Sequence, residues 1–452
     1  MTSSQETSNL AADYSSGVPF GNNVVIYDIQ HQNSCACCFK NSGQHFSLFF
    51  IPAILTTPDP VEAPLICAAL LILIMHASAT LVHNLKGHTD EVGRLLFAPD
   101  GKTLAASDDS FITLWDVETG SLRSKSEEID DMYFEMAFSP DSKWIAAASG
   151  DGYARIWNAE TGQLKHVLGV EDERMLSLVF SADSKLIATG SEIMRVWDVA
   201  TGELLHTLSV PDDQPLSITA VYERSEYPAE IGSVDFSPDG KYLLSGCGNT
   251  STVCIWNTES WKLEHTIRGY YVACFSVDGM LLAIPTNDHM TIQIYSSLTW
   301  QLQSTLETAE HGFFPVEFSP DSKSIVTTSG HEIQIWSVGS GEAIKTFVEP
   351  REKELEDFED PQEEVCTLAF SPNGKVLVSG GEECSLRVRS VENGDLLLEL
   401  THKDGARDPW NPKGIRGGPP AVEVLFGDGG GKVAIAFPDG SVRIWDVRWK
   451  TT

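Results

Sequence analysis

The sequence predicts an all-β chain in which eight small antiparallel sheets, four strands each, close into a ring, with seven sheets as the alternative count. Three observations carry this. Eight times between Leu81 and Val447 an apolar run ends in Phe, a Ser-Pro-Asp-Gly-like turn follows, and then come a small-residue strand and a strand ending in Trp-Asp or a close variant. Apolar residues alternate with period two, as in Ser177-Leu-Val-Phe180 and Met194-Arg-Val-Trp197, which is strand and not helix periodicity. Turn chemistry separates the runs: Pro99-Asp-Gly101, Pro238-Asp-Gly240 and Pro372-Asn-Gly374 set the bend with Pro and supply left-handed backbone with Gly or Asn. A four-stranded unit cannot bury both faces alone, so its repetition means blades packed radially, a β-propeller.

The anchoring Phe residues are Phe97, Phe138, Phe180, Phe236, Phe275, Phe318, Phe370 and Phe426. Their spacings of 41, 42, 56, 39, 43, 52 and 56 residues separate bare units from units with insertions. The second strand of each unit is built from small residues, as in Ala105-Ala-Ser107 and Ala146-Ala-Ala-Ser149, which lets neighbouring blades approach closely. The third strand supplies a large body to fill the gap between blades: Trp115, Trp157, Trp197, Trp256, Trp336 and Trp445, with Tyr295 in the fifth unit and Arg389 in the seventh. A second turn family follows it, Glu118-Thr-Gly120, Glu160-Thr-Gly162 and Ala200-Thr-Gly202. The last unit supplies three strands, and its missing outer strand is expected from Leu81-Val-His-Asn-Leu85, which closes the ring and removes its open edges.

This pattern resembles the WD40 repeat family, with Gly87-His88 before Phe97 and Trp-Asp pairs at Trp115-Asp116, Trp197-Asp198 and Trp445-Asp446. The resemblance spans residues 80–447 and implies a non-catalytic platform for protein assembly. It also implies a buried set of His, Asp, Ser and Trp in each unit. Here a Gly-His pair stands ahead of a unit's first strand only once, at Gly87-His88, and an Asp six residues before Trp occurs only as Asp109, Asp151 and Asp439. Most blades are therefore expected to hold by apolar packing, with lower thermal stability than a consensus-rich ring.

Ahead of the repeats lie residues 1–29, with a possible strand at 24–29, and a hydrophobic, Cys-rich stretch at 30–79; the propeller is assigned to 80–452. Residues 30–79 hold only Lys40, Asp59 and Glu62 as charges, and four of the nine Cys (Cys35, Cys37, Cys38, Cys67). Three readings stand beside each other: a membrane anchor over 65–82, a buried or disordered insertion, and translated non-coding sequence retained in the gene. The uninterrupted apolar run Leu65–Met75 is shorter than the ~20 residues a spanning helix needs. Cys35-Ala-Cys-Cys38 lacks a second ligand pair at metal-binding spacing.

A net charge of −33 opposes non-specific nucleic-acid binding and suits a soluble assembly platform. The remaining Cys read as free thiols in a reducing compartment, which points to the cytoplasm or nucleus, with a membrane-anchored form tied to the 65–82 reading. No His-Glu-x-x-His, Gly-x-Ser-x-Gly or phosphate-cradling Gly loop occurs, so neither enzyme activity nor cofactor, metal or small-molecule substrate is expected. Acidic groups at blade starts (Glu91, Glu230, Glu317, Glu423) read as surface charge, with a cation-holding ring as the alternative.

The long insertions 211–230, 349–364 and 402–420 all connect consecutive blades, so they share one rim, which is the expected docking face for other proteins. The 349–364 insertion holds nine acidic residues, whereas 402–420 is basic around Trp410. Aromatic and Arg side chains anchor interfaces. The candidate contacts are Trp410, Arg407, Arg416, Lys413, Tyr222, Arg224, Phe358 and Arg389. A structural role for Arg389, its stem packed and its head in solvent, is the alternative. Asp439-Gly-Ser-Val-Arg-Ile-Trp-Asp-Val-Arg448 also resembles the box by which some WD40 proteins dock as substrate receptors on cullin-RING ubiquitin ligases, centred on Trp445, Asp446 and Arg448.

Overall fold

Every blade grows from the same short-range logic: a left-handed turn residue closes one hairpin, and a bulge at the aromatic position twists the next. The computed structural model describes residues 77–449 except 89–91, 109, 130–131, 170–172, 210–229, 248–249, 270–272, 287–290, 308–315, 330–331, 350–364, 382–384, 401–421, 428–429 and 437–439; of residues 1–76 it describes four short strands. Eight four-stranded antiparallel sheets follow one another in chain order. Blade one is Arg94–Phe97, Thr103–Ser107, Ile112–Asp116 and Leu122–Lys125. Blades two, three, four and six occupy residues 133–169, 177–208, 231–268 and 316–348 in the same way. Blade five is Cys274–Phe275, Leu281–Pro285, Thr291–Ser296 and Leu302–Glu307. Blade seven is Val365–Phe370, Val376–Gly381, Ser385–Ser390 and Leu396–Leu400.

Blade eight joins the two ends of the ring. Val422–Gly427, Gly430–Ala436 and Ser441–Trp449 come from the end of the repeats, and Ala77–Lys86 supplies the fourth strand. The pairing runs from Ser441 opposite Lys86 to Trp449 opposite Ala77, longer than the expected Leu81–Leu85 contact. The eight-bladed count holds and the seven-bladed alternative falls.

In blades one to six the anchoring Phe, an apolar residue of the second strand and the third-strand aromatic lie in one cross-strand row, and in blade seven Arg389 stands in the aromatic's place, in line with Leu377 and Phe370. Phe97, Leu104 and Trp115 form it in blade one, and Phe275, Leu282 and Tyr295 in blade five. Blade eight corrects the sequence expectation: Val424, not Phe426, stands in line with Val433 and Trp445. Phe426 sits two residues further on, opposite Gly431, because Gly427 already pairs with Gly430 and the hairpin is tighter than a Pro-Asp-Gly turn. In all eight blades the register to the outer strand shifts at the aromatic position, as between Leu114 and Trp115 or Ile444 and Trp445. An extra residue on one strand increases local twist, which fans the blade outward.

Among the described residues the apolar core is divided into eight clusters, one at each inter-blade interface. Trp115, Phe97 and Leu104 of blade one pack with Ala434, Val442 and Ile444 of blade eight. Ala105, Ile112 and Leu114, from the other face of blade one, pack with Phe138, Ile145 and Trp157 of blade two. The remaining six clusters continue around to blades seven and eight, so no interface is left open. The small residues work as expected: Ala105 and Ala106 are neighbours in sequence, yet serve different interfaces, and neither is accessible to water.

Residues 1–75 form a separate compact unit. Within it Val24–Tyr27 pairs with Gly17–Phe20, and Ala36–Cys38 pairs with Leu48–Phe50. The possible strand at 24–29 thus exists over Val24–Tyr27, in a hairpin of its own. The anchor reading is corrected at its far end, because residues 77–82 belong to the ring-closing strand. No helix among the described residues is long and apolar enough to cross a membrane.

Candidate interaction surfaces

Inside each blade, polar groups must be satisfied before any surface is free to bind. In blade one the Asp108 carboxylate accepts from His88 Nδ1 at 2.7 Å, His88 Nε2 meets the Thr113 hydroxyl at 2.6 Å, and Trp115 Nε1 donates to Thr113 at 2.9 Å. The family's buried set is therefore present, but its acid is Asp108, one residue before the expected Asp109, which lies outside the described residues. The indoles of Trp197, Trp256 and Trp336 donate to hydroxyls on the second strand, Thr189, Ser245 and Thr327, at 2.9–3.0 Å.

Blades two, three and seven add guanidinium-centred sets to the apolar packing expected of most blades. In blade two Arg155 Nη2 donates to Asp151 at 2.5 Å and Nη1 to Ser149 at 3.0 Å. In blade three Arg195 grips Glu173 with both terminal nitrogens, at 2.7 and 3.0 Å, and Ser191 donates to the same carboxylate. The sequence signal was Arg two residues before the Trp. The acid changes position and element, which hid the pairing.

Blade seven goes furthest. Glu349, only 4% exposed, accepts from Arg389 Nε at 3.0 Å and Nη2 at 2.8 Å and from Ser379 at 3.1 Å, with Arg387 Nε 3.4 Å away. Arg387 also donates to Glu399 at 2.9 Å. Arg389 therefore takes the place of the aromatic and its head faces Glu349, not solvent. Among the other candidate contacts, Trp410, Arg407, Arg416, Lys413, Tyr222, Arg224 and Phe358 lie outside the described residues. The ligase-box candidates divide: Trp445 and Asp446 are half-buried, whereas Arg448 is exposed, with Nη2 3.4 Å from Asp446 Oδ2.

First strands of neighbouring blades lie against one another, so they line the axis. On them stand Glu135, Asp235 and Glu317, each pushed up to about 7 by burial, and Cys274, pushed up to about 12 by burial and by the nearby Asp235 and Glu317. Glu135 accepts the Leu178 N–H at 2.9 Å, and the Arg94 charge partly offsets its burial. Glu317 was legible as a blade-start acid, but its burial was not. Among the described residues no group of three or more His, Cys, Asp or Glu is placed to hold a metal ion.

The comparisons agree with this architecture. The "WD domain, G-beta repeat" family matches residues 79–116, 133–158, 219–257 and 352–390. Similar proteins include Nuclear distribution protein PAC1 of Coccidioides posadasii, 28% identical with 48% of each chain covered. Periodic tryptophan protein 2 of Saccharomyces cerevisiae is 24% identical over 48% of this chain and 22% of its own. An uncharacterized WD repeat-containing protein of Synechocystis, sll1491, is 26% identical over 36% of this chain and 44% of its own. The chain thus spans at most about half the length of these relatives. The crystal structure of the computationally designed Ika8 protein superimposes with a TM-score of 0.59 at 20% identity, covering 80% of this chain and 98% of that one, and shows the same fold. The protein is a β-propeller that carries WD40 repeats.

Proposed function

We propose that the ring is a non-catalytic scaffold that brings other proteins together on the rim carrying the inter-blade insertions 211–230, 349–364 and 402–420. One observation carries the reading: all three long insertions fall on connections between consecutive blades, and such connections emerge on a single side of the ring. The WD40 repeats, shared with a family of assembly platforms, support it. Trp410, Arg407 and Arg416 are the anchors of that face, supported by Lys413, Tyr222, Arg224 and Phe358. The free thiols Cys247, Cys254 and Cys274 suit a cytoplasmic or nuclear site of action.

The test is quantitative co-purification with the full chain and with a form whose residues 211–229, 350–364 and 402–420 are replaced by short Gly-Ser turns. Proteins retained by the full chain are expected to disappear from the replaced form while its thermal transition persists. Equal recovery from both forms would sink the rim as the docking face. The exposure of Arg448 beside Asp446 favours a second reading, docking as a cullin-RING substrate receptor. That reading ends if the ligase adaptor fails to co-purify and Arg448→Ala changes nothing.

A further inference from the structure

The rim opposite the insertions is formed by two turns per blade, one joining the first and second strands and one joining the third and fourth. The two turns of one blade touch: in blade five Ser297 N–H donates to the Met280 carbonyl at 2.9 Å. In blades one to four, six and seven the first turn ends in a lysine: Lys102, Lys143, Lys185, Lys241, Lys323 and Lys375. In blades one to four and six these lysines lie within 2.7–4.0 Å of the turn's own Asp. The second turn carries Glu118, Glu160, Glu259 or Glu392 in four of the blades. Charged tips thus cover most of this rim.

Blade five departs from this at three tip positions. Met280 stands in place of Lys, Leu298 in place of Glu, and Val277 in place of the Pro found in five other blades. These side chains are 54%, 72% and 59% exposed, so they are not there to fill the core. The turn keeps its shape, because the Asp278 carboxylate still accepts the Met280 N–H at 2.9 Å and Ser276 Oγ at 2.6 Å. With lysine gone, however, Asp278 makes no ion pair among the described residues. The result is an apolar tip with a carboxylate set among Val277, Met280 and Leu298.

We propose that this tip is a second docking surface, and that its occupant is a protein segment presenting large apolar side chains beside a Lys or Arg. Charge decides the occupant: Asp278 offers an acceptor with no cation partner among the described residues, and the chain carries a net charge of −33. A basic apolar segment is attracted by both, whereas a second copy of this chain is repelled. The inference rests on the reading of the ring as a platform for partner chains and adds a site on its other side.

The test uses the full chain and two labelled peptides of about twelve residues, one alternating Leu with Arg and one alternating Leu with Glu, followed by anisotropy. The double variant Met280→Lys, Leu298→Glu leaves the net charge unchanged and restores residues that other blades carry, so it should fold. The Leu/Arg peptide is expected to bind the native chain about tenfold more tightly than this variant, and Asp278→Asn is expected to weaken it about threefold. The Leu/Glu peptide is expected not to bind. Equal affinity for the native chain and the double variant overturns the proposal. So does comparable binding of the Leu/Glu peptide, or native oligomers that dissolve in the double variant on sedimentation, which would make a second copy the occupant. Should the double variant not fold, Val277→Pro with Met280→Lys carries the same test. Peptide binding lost on replacing the insertions but kept in the double variant overturns this site and leaves the opposite rim's role intact.

Discussion

Glu349 shows how much a single side chain decides in this ring. It is one carboxylate in an insertion with nine acidic residues, and sequence gives no means of telling it from the other eight. It differs only by directly following Val348, the end of blade six's outer strand, which carries it inward to Arg389 and Ser379. The departure at Arg389 was legible as an Arg where Trp belongs, but a partner 40 residues away was not. Removing one member of a buried ion set leaves an unpaired charge, so Glu349→Ala is expected to cost about 3–5 kcal/mol in urea unfolding. Replacing Arg389 by Trp together with Glu349→Gln should restore most of that loss. Trp300 makes a second case. It holds φ of 56° at a position where blades one to three have Gly, and it packs edge-on against Tyr242 with centroids 4.9 Å apart. Left-handed backbone costs any residue with a Cβ, so Trp300→Gly loses the ring contact and sheds the strain, whereas Trp300→Ala loses the contact and keeps the strain. The Ala variant is expected to be the less stable by about 1 kcal/mol in thermal unfolding.

Blades succeed as elements because their second strands are covered on both sides. Ala146 and Ala148 face blade three while Ala147 faces blade one, all without exposure. This was fully legible in the run of small residues, since nothing larger fits where two sheets approach. Ala147→Leu should therefore cost about 1–3 kcal/mol, read as a lowered urea midpoint, because the added atoms meet packed neighbours. Links between blades were harder to see. The His83 and His166 rings reach carbonyls in the next blade's turn, Glu118 at 3.0 Å and Ala200 at 3.2 Å. His206 instead stacks on Trp261 with centroids 4.3 Å apart. The interacting positions recur, but the residue types change from imidazole to Lys345, which reaches the Val391 carbonyl at 2.5 Å. A motif search keyed to residue type misses a contact defined by place.

For the whole molecule, closure made the ring legible and the axis illegible. Counting Phe spacings and finding three strands at one end yields eight blades and the closing strand. Nothing in those spacings says that Glu135, Asp235 and Glu317 converge on first strands, where burial pushes each up to about 7. Arg94 and Cys274 face the same group. The folded pKa lies above the unfolded value, so the folded ring favours the protonated acids. The resulting stability is complete below about pH 4 and is lost as pH rises through 7. Asp116, held low by Arg123 and the Thr119 N–H, works in the opposite direction but only in strong acid. Urea midpoints are expected to be higher at pH 6 than at pH 8, and Glu135→Gln with Asp235→Asn should flatten that slope; an unchanged profile would refute the assignment. The pairing of Lys86 with Ser441 carries one more consequence, for biosynthesis. Ala77–Lys86 leaves the ribosome among the first of the ring's strands and must wait for the last of them. Throughout translation it exposes unpaired backbone, and a chaperone that shields extended apolar strands would meet this nascent chain there first.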